Sequence, residues 1–180
     1  YYVSHINYYA GITFQGVGSG SKLKKIPSTD KFNRMFTTLA AQTFSVDSPL
    51  VAWYDLAFDG NSANHITYQA YQLEQAHMIF LVANAAGAGR LRAIVEGCTF
   101  ENCVADAVSV YNNVNLEISN CFMRECFRGG LVITGGYTIV KADNLDMFGV
   151  TDLTRMDIEV DGAGYGRSEE HTSELPSRQV

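Results

Sequence analysis

Four cysteines are the most regularly spaced chemistry-bearing residues in the chain. Cys121 follows Cys98, and Cys126 follows Cys103, by the same 23 residues. The C-x4-C spacing falls loosely within the range that structural zinc uses. Free cysteine also behaves as a small buried hydrophobe, and two thiols on adjacent strands lie within disulfide range. The same stretch carries charged groups suited to acid–base work. Asp106, Arg124 and Arg128 are the candidate catalytic residues: one carboxylate and two guanidiniums able to meet an acidic group. His65 and His77 flank the long segment after Asp59-Gly60-Asn61, and a loop imidazole can act as a base near neutral pH.

What these residues can do depends on what positions them. From Leu91 to Thr134 the chain holds two copies of one pattern. Ala93-Ile94-Val95-Glu96-Gly97-Cys98 overlays Leu116-Glu117-Ile118-Ser119-Asn120-Cys121, Val108 overlays Leu131, and Val110 overlays Ile133. A fixed period marks a repeat architecture. Apolar residues two apart, at 93–95, 108–110, 116–118 and 131–133, mark strands with one buried face. Gly97, Asn102, Asn120 and Gly129-Gly130 stand between them as turn residues. The repeat is too short for a strand plus a crossover helix, which needs about 30 residues or more.

The economical solution is a coil of short strands, each pairing in parallel with the next. Such a coil stacks Cys98 over Cys121 and Cys103 over Cys126, as two buried thiol ladders or as vertical disulfides. Inward thiols on separate turns would not converge on one ion, which argues against zinc. Glu101 stacks with Arg124 as a surface ion pair between rungs. That neighbour lowers a carboxyl pKa and counts against Glu101 as a general acid. Asp106 falls level with Gly129, beside Arg128.

Looser copies of the pattern start at Ile12, Leu56, Ile139 and Ile158, with Lys141 on an inward position of its copy. Their uneven steps imply loops inserted at 18–38 and 61–75. The spacing predicts a strand over 51–58, a turn at Asp59-Gly60-Asn61 and a buried strand over 78–82. It predicts one helical turn near 29–36, and a short helix or a loop over 68–76. Gly16–Ser21 is glycine-rich like a phosphate loop, but Lys22–Ile26 reads as a strand where such a loop needs a helix.

The composition, 47% hydrophobic and 18% charged, is that of a globular chain. No run approaches the ~20 apolar residues that span a bilayer. A net charge of −6 argues against a nucleic-acid partner. The end of the chain, RSEEHTSELPSR, resembles a translated sequencing adapter. Residues 1–166 are therefore the expected domain and 167–180 a non-native, disordered tail.

The phrases GITFQGVGSGSKL, LAFDGN, EGCTFENCVADAVSV and SNCFMRECFRGGLVI resemble the right-handed parallel β-helix of the pectate-lyase-like superfamily. The resemblance implies an all-β fold, a right-handed parallel β-helix (solenoid) truncated at both ends. It implies a carbohydrate-active protein, extracellular or on a cell surface, that binds and cleaves an extended polysaccharide as a lyase or glycoside hydrolase. The alternative is a non-catalytic shaft of a phage tail spike or adhesin, then a homotrimer on a virion or cell surface. Lyases of this superfamily use a basic residue to abstract a proton beside a uronate, often with calcium held by acidic residues. Beyond that Ca2+ no cofactor is expected. The diagnostic lyase clusters and the Asp-rich motifs of polygalacturonases are absent as sets; Asp106 in VADAVSV is a faint echo of the latter.

Overall fold

The computed structural model describes residues 1–27, 33–38, 42–65, 75–84 and 86–148, and the backbone of 154–159. The expected tail at 167–180, and most of the segments read as helical near 29–36 and 68–76, lie outside these residues. Within 33–38 the chain is extended rather than helical.

The strands are Tyr2–Val3 (β1), Ile6–Tyr8 (β2), Thr13–Gln15 (β3), Lys22–Lys25 (β4) and Phe36–Thr38 (β5). Val51–Tyr54 (β6), Ala57–Asp59 (β7), Ile79–Val82 (β8), Leu91–Glu96 (β9) and Thr99–Glu101 (β10) follow. The last are Val108–Tyr111 (β11), Val114–Arg124 (β12), Gly129–Thr134 (β13), Ile139–Phe148 (β14) and Thr154–Glu159 (β15). Among the described residues the one helical piece is a 3-10 turn at Ser62–Asn64.

The protein is all-β, and every strand pairing is parallel. One ladder runs β3, β6, β9 and the first parts of β12 and β14. A second, in the same curled sheet, runs β1, β4, β7, β10 and the later parts of β12 and β14. The third is a separate sheet of β2, β5, β8, β11, β13 and β15. The chain visits the three ladders in one constant order.

Like residues stack between the ladders. Phe14, Trp53, Val95 and Ile118 are register partners on the first. Leu23, Phe58, Phe100 and Met123 are partners on the second. Ile6, Phe36, Ile79, Val108 and Leu131 are partners on the third. The Phe58 and Phe100 rings stack at 4.7 Å and 5°, and Tyr8 meets Trp53 edge-on at 5.0 Å. Most of these side chains form one buried cluster together with all four cysteines, and Ile6, Phe14 and Leu23 pack partly buried against it. Burying each large aromatic is worth about 2–3 kcal/mol before entropy is counted.

The bend between the first two ladders is made by a column of left-handed residues: Asp55, Gly97, Asn120 and Asn144. Asp and Asn tolerate that conformation better than other non-glycine residues. The Asn144 amide donates to Asn120 Oδ1 at 2.8 Å. Asp55 therefore splits the single strand expected over 51–58 into β6 and β7, and the Leu56 copy belongs to the second ladder. Gly129-Gly130, expected as a turn, opens β13.

Lys141 is the clearest correction. Leu116 pairs with Val140 and Glu117 with Lys141, one residue away from the register that the repeat suggested. A slip of one residue turns every side chain to the other face. Lys141 thus points outward, with Nζ 3.1 Å from Glu117 Oε1.

Candidate functional site

The third ladder carries the most chemistry on its outward side. Phe80, Ser109 and Val132 are register partners there, and Tyr111 pairs with Thr134. Two residues before the buried column Phe36, Ile79, Val108, the same register brings together Arg34, His77 and Asp106 on three successive rungs. The backbone fixes this stacking: Met35 N–H donates to His77 O at 3.1 Å, and Met78 N–H to Asp106 O at 3.0 Å. Ala107 N–H donates to Gly129 O at 3.1 Å, so Asp106 is level with Gly129 and beside Arg128, as expected. Arg34, His77, Asp106 and Arg128 all line one cavity of about 490 Å3, with Phe80 and Tyr111 on its wall.

Inside it, Asp106 is fully buried, and its Oδ2 lies 2.8 Å from His77 Nδ1. The distance is that of an ion pair, but the alignment is not that of a hydrogen bond. Both carboxylate oxygens therefore lack a hydrogen-bond partner among the described residues. A buried carboxylate left in this state calls for a further donor. Burial pushes the His77 imidazole below its ordinary pKa; Asp106 opposes this, while Arg34 and Arg128 add to it. His77 is thus held as a neutral imidazole at neutral pH. Its ring stacks on Phe80 at 5.3 Å and 20°. The Arg34 guanidinium sits 3.8 Å over the Phe80 ring, and Nε donates to Gln75 O at 3.1 Å.

Arg124 is elsewhere. It continues the outward column Lys24, Asp59, Glu101 on the second ladder, outside the cavity, where its Nη2 lies 2.7 Å from Glu101 Oε2. Lys22 Nζ holds the other Glu101 oxygen, and Lys24 Nζ is 3.0 Å from Asp59 Oδ2. The Glu101–Arg124 pair was legible in the repeat. Its carboxylate is buried rather than exposed, however, and Lys22 was not anticipated. His65 is also outside the cavity, buried at the end of the 3-10 turn.

This network has a pH signature. Burial alone would raise the Asp59 and Glu101 pKa values. The Lys24 ammonium, the Asn61 N–H and the Asn102 amide outweigh it for Asp59; Lys22 and Arg124 do so for Glu101. Both carboxyls therefore sit below their ordinary values in the folded state. Their stabilisation is fully present above the unfolded-state value near 4 and is lost as pH falls through the folded one. Glu101→Gln is expected to flatten the fall of Tm between roughly pH 5 and 3. Parallel Tm profiles for variant and parent would contradict this.

Arg34 and His77 escaped the repeat because inserted segments precede both, so no 23-residue alignment reaches them. Their signal was the spacing to Phe36 and Ile79, each two residues on. A second hollow of about 430 Å3 lies beside Tyr54, Asp55, Glu96 and Asn120, with carboxylates but no cationic side chain lining it among the described residues. Among the described residues no three His, Cys, Asp or Glu side chains gather as a metal site. The larger cavity does not suit the Ca2+ that the family resemblance brings in. That ion takes six to eight oxygen ligands, and among the described residues this cavity is lined by one carboxylate and two arginines. No described helix is long and apolar enough to cross a membrane. Compared with known proteins, the chain matches no family model, no curated protein and no solved structure.

Proposed function

We propose that the chain forms a right-handed parallel β-helix whose flank cavity binds and cleaves an extended acidic polysaccharide. The constant cycle through three parallel ladders supports the solenoid. Its right hand follows from the handedness of parallel crossovers, which holds in ≈ 98% of cases. The observation that carries the function is the stacking of Arg34, His77 and Asp106 on consecutive rungs, with Arg128 beside them in one cavity. Guanidiniums are the side chains best matched to a sugar carboxylate, and Tyr111 offers an apolar face to a sugar ring.

The lining favours elimination over hydrolysis. An inverting hydrolase needs two carboxylates about 6.5–9.5 Å apart, whereas among the described residues Asp106 is the one carboxylate on this wall. In the elimination, the neutral His77 takes the proton from the carbon bearing the uronate carboxylate. The electron pair left there forms a carbon–carbon double bond as the neighbouring glycosidic C–O bond breaks. The leaving oxygen takes a proton from water. Arg34 and Arg128 stabilise the negative charge that builds on the carboxylate. The nearby Asp106 carboxylate favours the protonated form of the imidazole.

The test is incubation of the chain with polygalacturonate, alginate and a neutral glucan. Ultraviolet-absorbing unsaturated ends from an acidic polymer are expected. New reducing ends without that absorbance would move the reading to a hydrolase. Binding without cleavage would favour the non-catalytic spike or adhesin shaft, and failure to bind any acidic polymer would contradict the proposal.

A further inference from the structure

We infer that Cys98–Cys121 and Cys103–Cys126 are two cross-rung disulfide sites, closed by exchange with a disulfide oxidant as the rungs assemble. The inference is independent of the cavity and its ligand. All four residues are free, buried thiols in this structure. The main chain holds each pair side by side. Phe122 N–H donates to Cys98 O at 3.0 Å, and Phe127 N–H donates to Cys103 O at 3.1 Å. Register partners on both flanks, Glu96 with Ser119 and Thr99 with Phe122, keep Cys98 level with Cys121.

Adjacent parallel strands lie about 4.8 Å apart, inside the Cα separation of about 4.4–6.8 Å that a disulfide needs. The four side chains also share one orientation, each thiol donating to the carbonyl two residues before it: Cys98 Sγ to Glu96 O at 3.4 Å, Cys121 Sγ to Ser119 O at 3.2 Å, Cys103 Sγ to Glu101 O at 3.9 Å and Cys126 Sγ to Arg124 O at 3.8 Å. Pairing along the chain is disfavoured, because β10 separates Cys98 from Cys103 by about 10 Å of extended strand.

The folded state also says when the bonds form. All four thiols are buried in the finished core, out of reach of a dissolved oxidant. The Cys103 thiol is raised above its ordinary pKa by burial first and by Cys126 second. A thiolate is the attacking species in exchange, so thiols shut inside the finished core react slowly. Closure belongs to folding, before the core seals. Each pair gives up two protons and two electrons to the oxidant, whose own S–S bond is reduced to two thiols.

The experiment refolds the reduced, denatured chain in two buffers, one with reduced glutathione only and one containing glutathione disulfide. Peptide mapping of the oxidised product should find Cys98 joined to Cys121 and Cys103 to Cys126. Its Tm should exceed that of the reduced product by roughly 5–10 °C or more, the size expected for closing loops of this length. Cys126→Ala should keep the Cys98–Cys121 link and lose the other. Cys98 joined to Cys103, four unbridged thiols after oxidative refolding, or equal Tm values would each overturn the inference. The mapping is done on the unaltered chain, so a variant that folds badly does not blunt the test.

Discussion

Replacing His77 with Gln is expected to lower the turnover of an acidic polymer by about 10²- to 10⁴-fold, the range that a positioned acid–base group contributes. Affinity should change only a few-fold. Gln fills similar space and keeps hydrogen-bonding capacity, but it cannot take up a proton. The ring it replaces is nearly enclosed, stacked on Phe80 and set against Asp106, so the cavity has little freedom to recruit another base. The pH profile adds a readout that a structural role would not give. Burial holds the imidazole below its ordinary pKa, so wild-type activity should stay level around neutrality and fall only below the usual histidine range near pH 6.5. Asp106→Asn should lower kcat, with KM little changed, and move that acid limb further down by removing the charge that favours imidazolium. Initial rates across pH, with kcat and KM resolved, check both variants. Full turnover in His77→Gln would remove His77 from the reaction.

Gly60→Val is expected to cost about 4 kcal/mol or more, and to drop Tm by roughly 10 °C or more if the chain folds at all. A Cβ at Gly60 would lie 2.3 Å from Asn102 O and 2.6 Å from Cys103 Cα. Both are backbone atoms of the next rung and have no rotamer by which to withdraw. The rung cannot retreat either, because Gly60 N–H donates to Glu101 O at 2.8 Å. Gly60 is thus required by close approach rather than by a left-handed φ. Gly20→Ala is the control: its Cβ would meet only Val17 Cγ2, at 3.9 Å, and thermal melts should show little change.

The uninterrupted part of the repeat was readable because register and sequence period coincide there. Cys98 with Cys121, Glu101 with Arg124, and Asp106 beside Arg128 all follow from one offset, and the structure keeps each neighbour relation. Where chain is inserted, the period says nothing. Arg34 and His77 reach the site through segments of unequal length, and only the buried Phe36 and Ile79 that follow them reveal the shared column. Lys141 shows the opposite limit. A one-residue change in spacing after Thr134 is invisible to a loose pattern, yet it decides which face each side chain of β14 takes. Arg124 was grouped with Asp106 and Arg128 by nearness in sequence. A turn at Glu125, with φ 53°, carries the chain from one ladder to the next and leaves Arg124 on a different face.

The proposed function stands on recognition of a sugar carboxylate in the cavity lined by Arg34, His77, Asp106 and Arg128. Calorimetric titration of the His77→Gln protein tests it most directly, using an acidic polysaccharide and the same polymer with its carboxyls chemically reduced to alcohols. The acidic polymer is expected to bind, to lose most of that binding on carboxyl reduction, and to lose a similar share with Arg128→Ala. Equal affinity for the two polymers, or acidic-polymer binding untouched by Arg128→Ala, would contradict it.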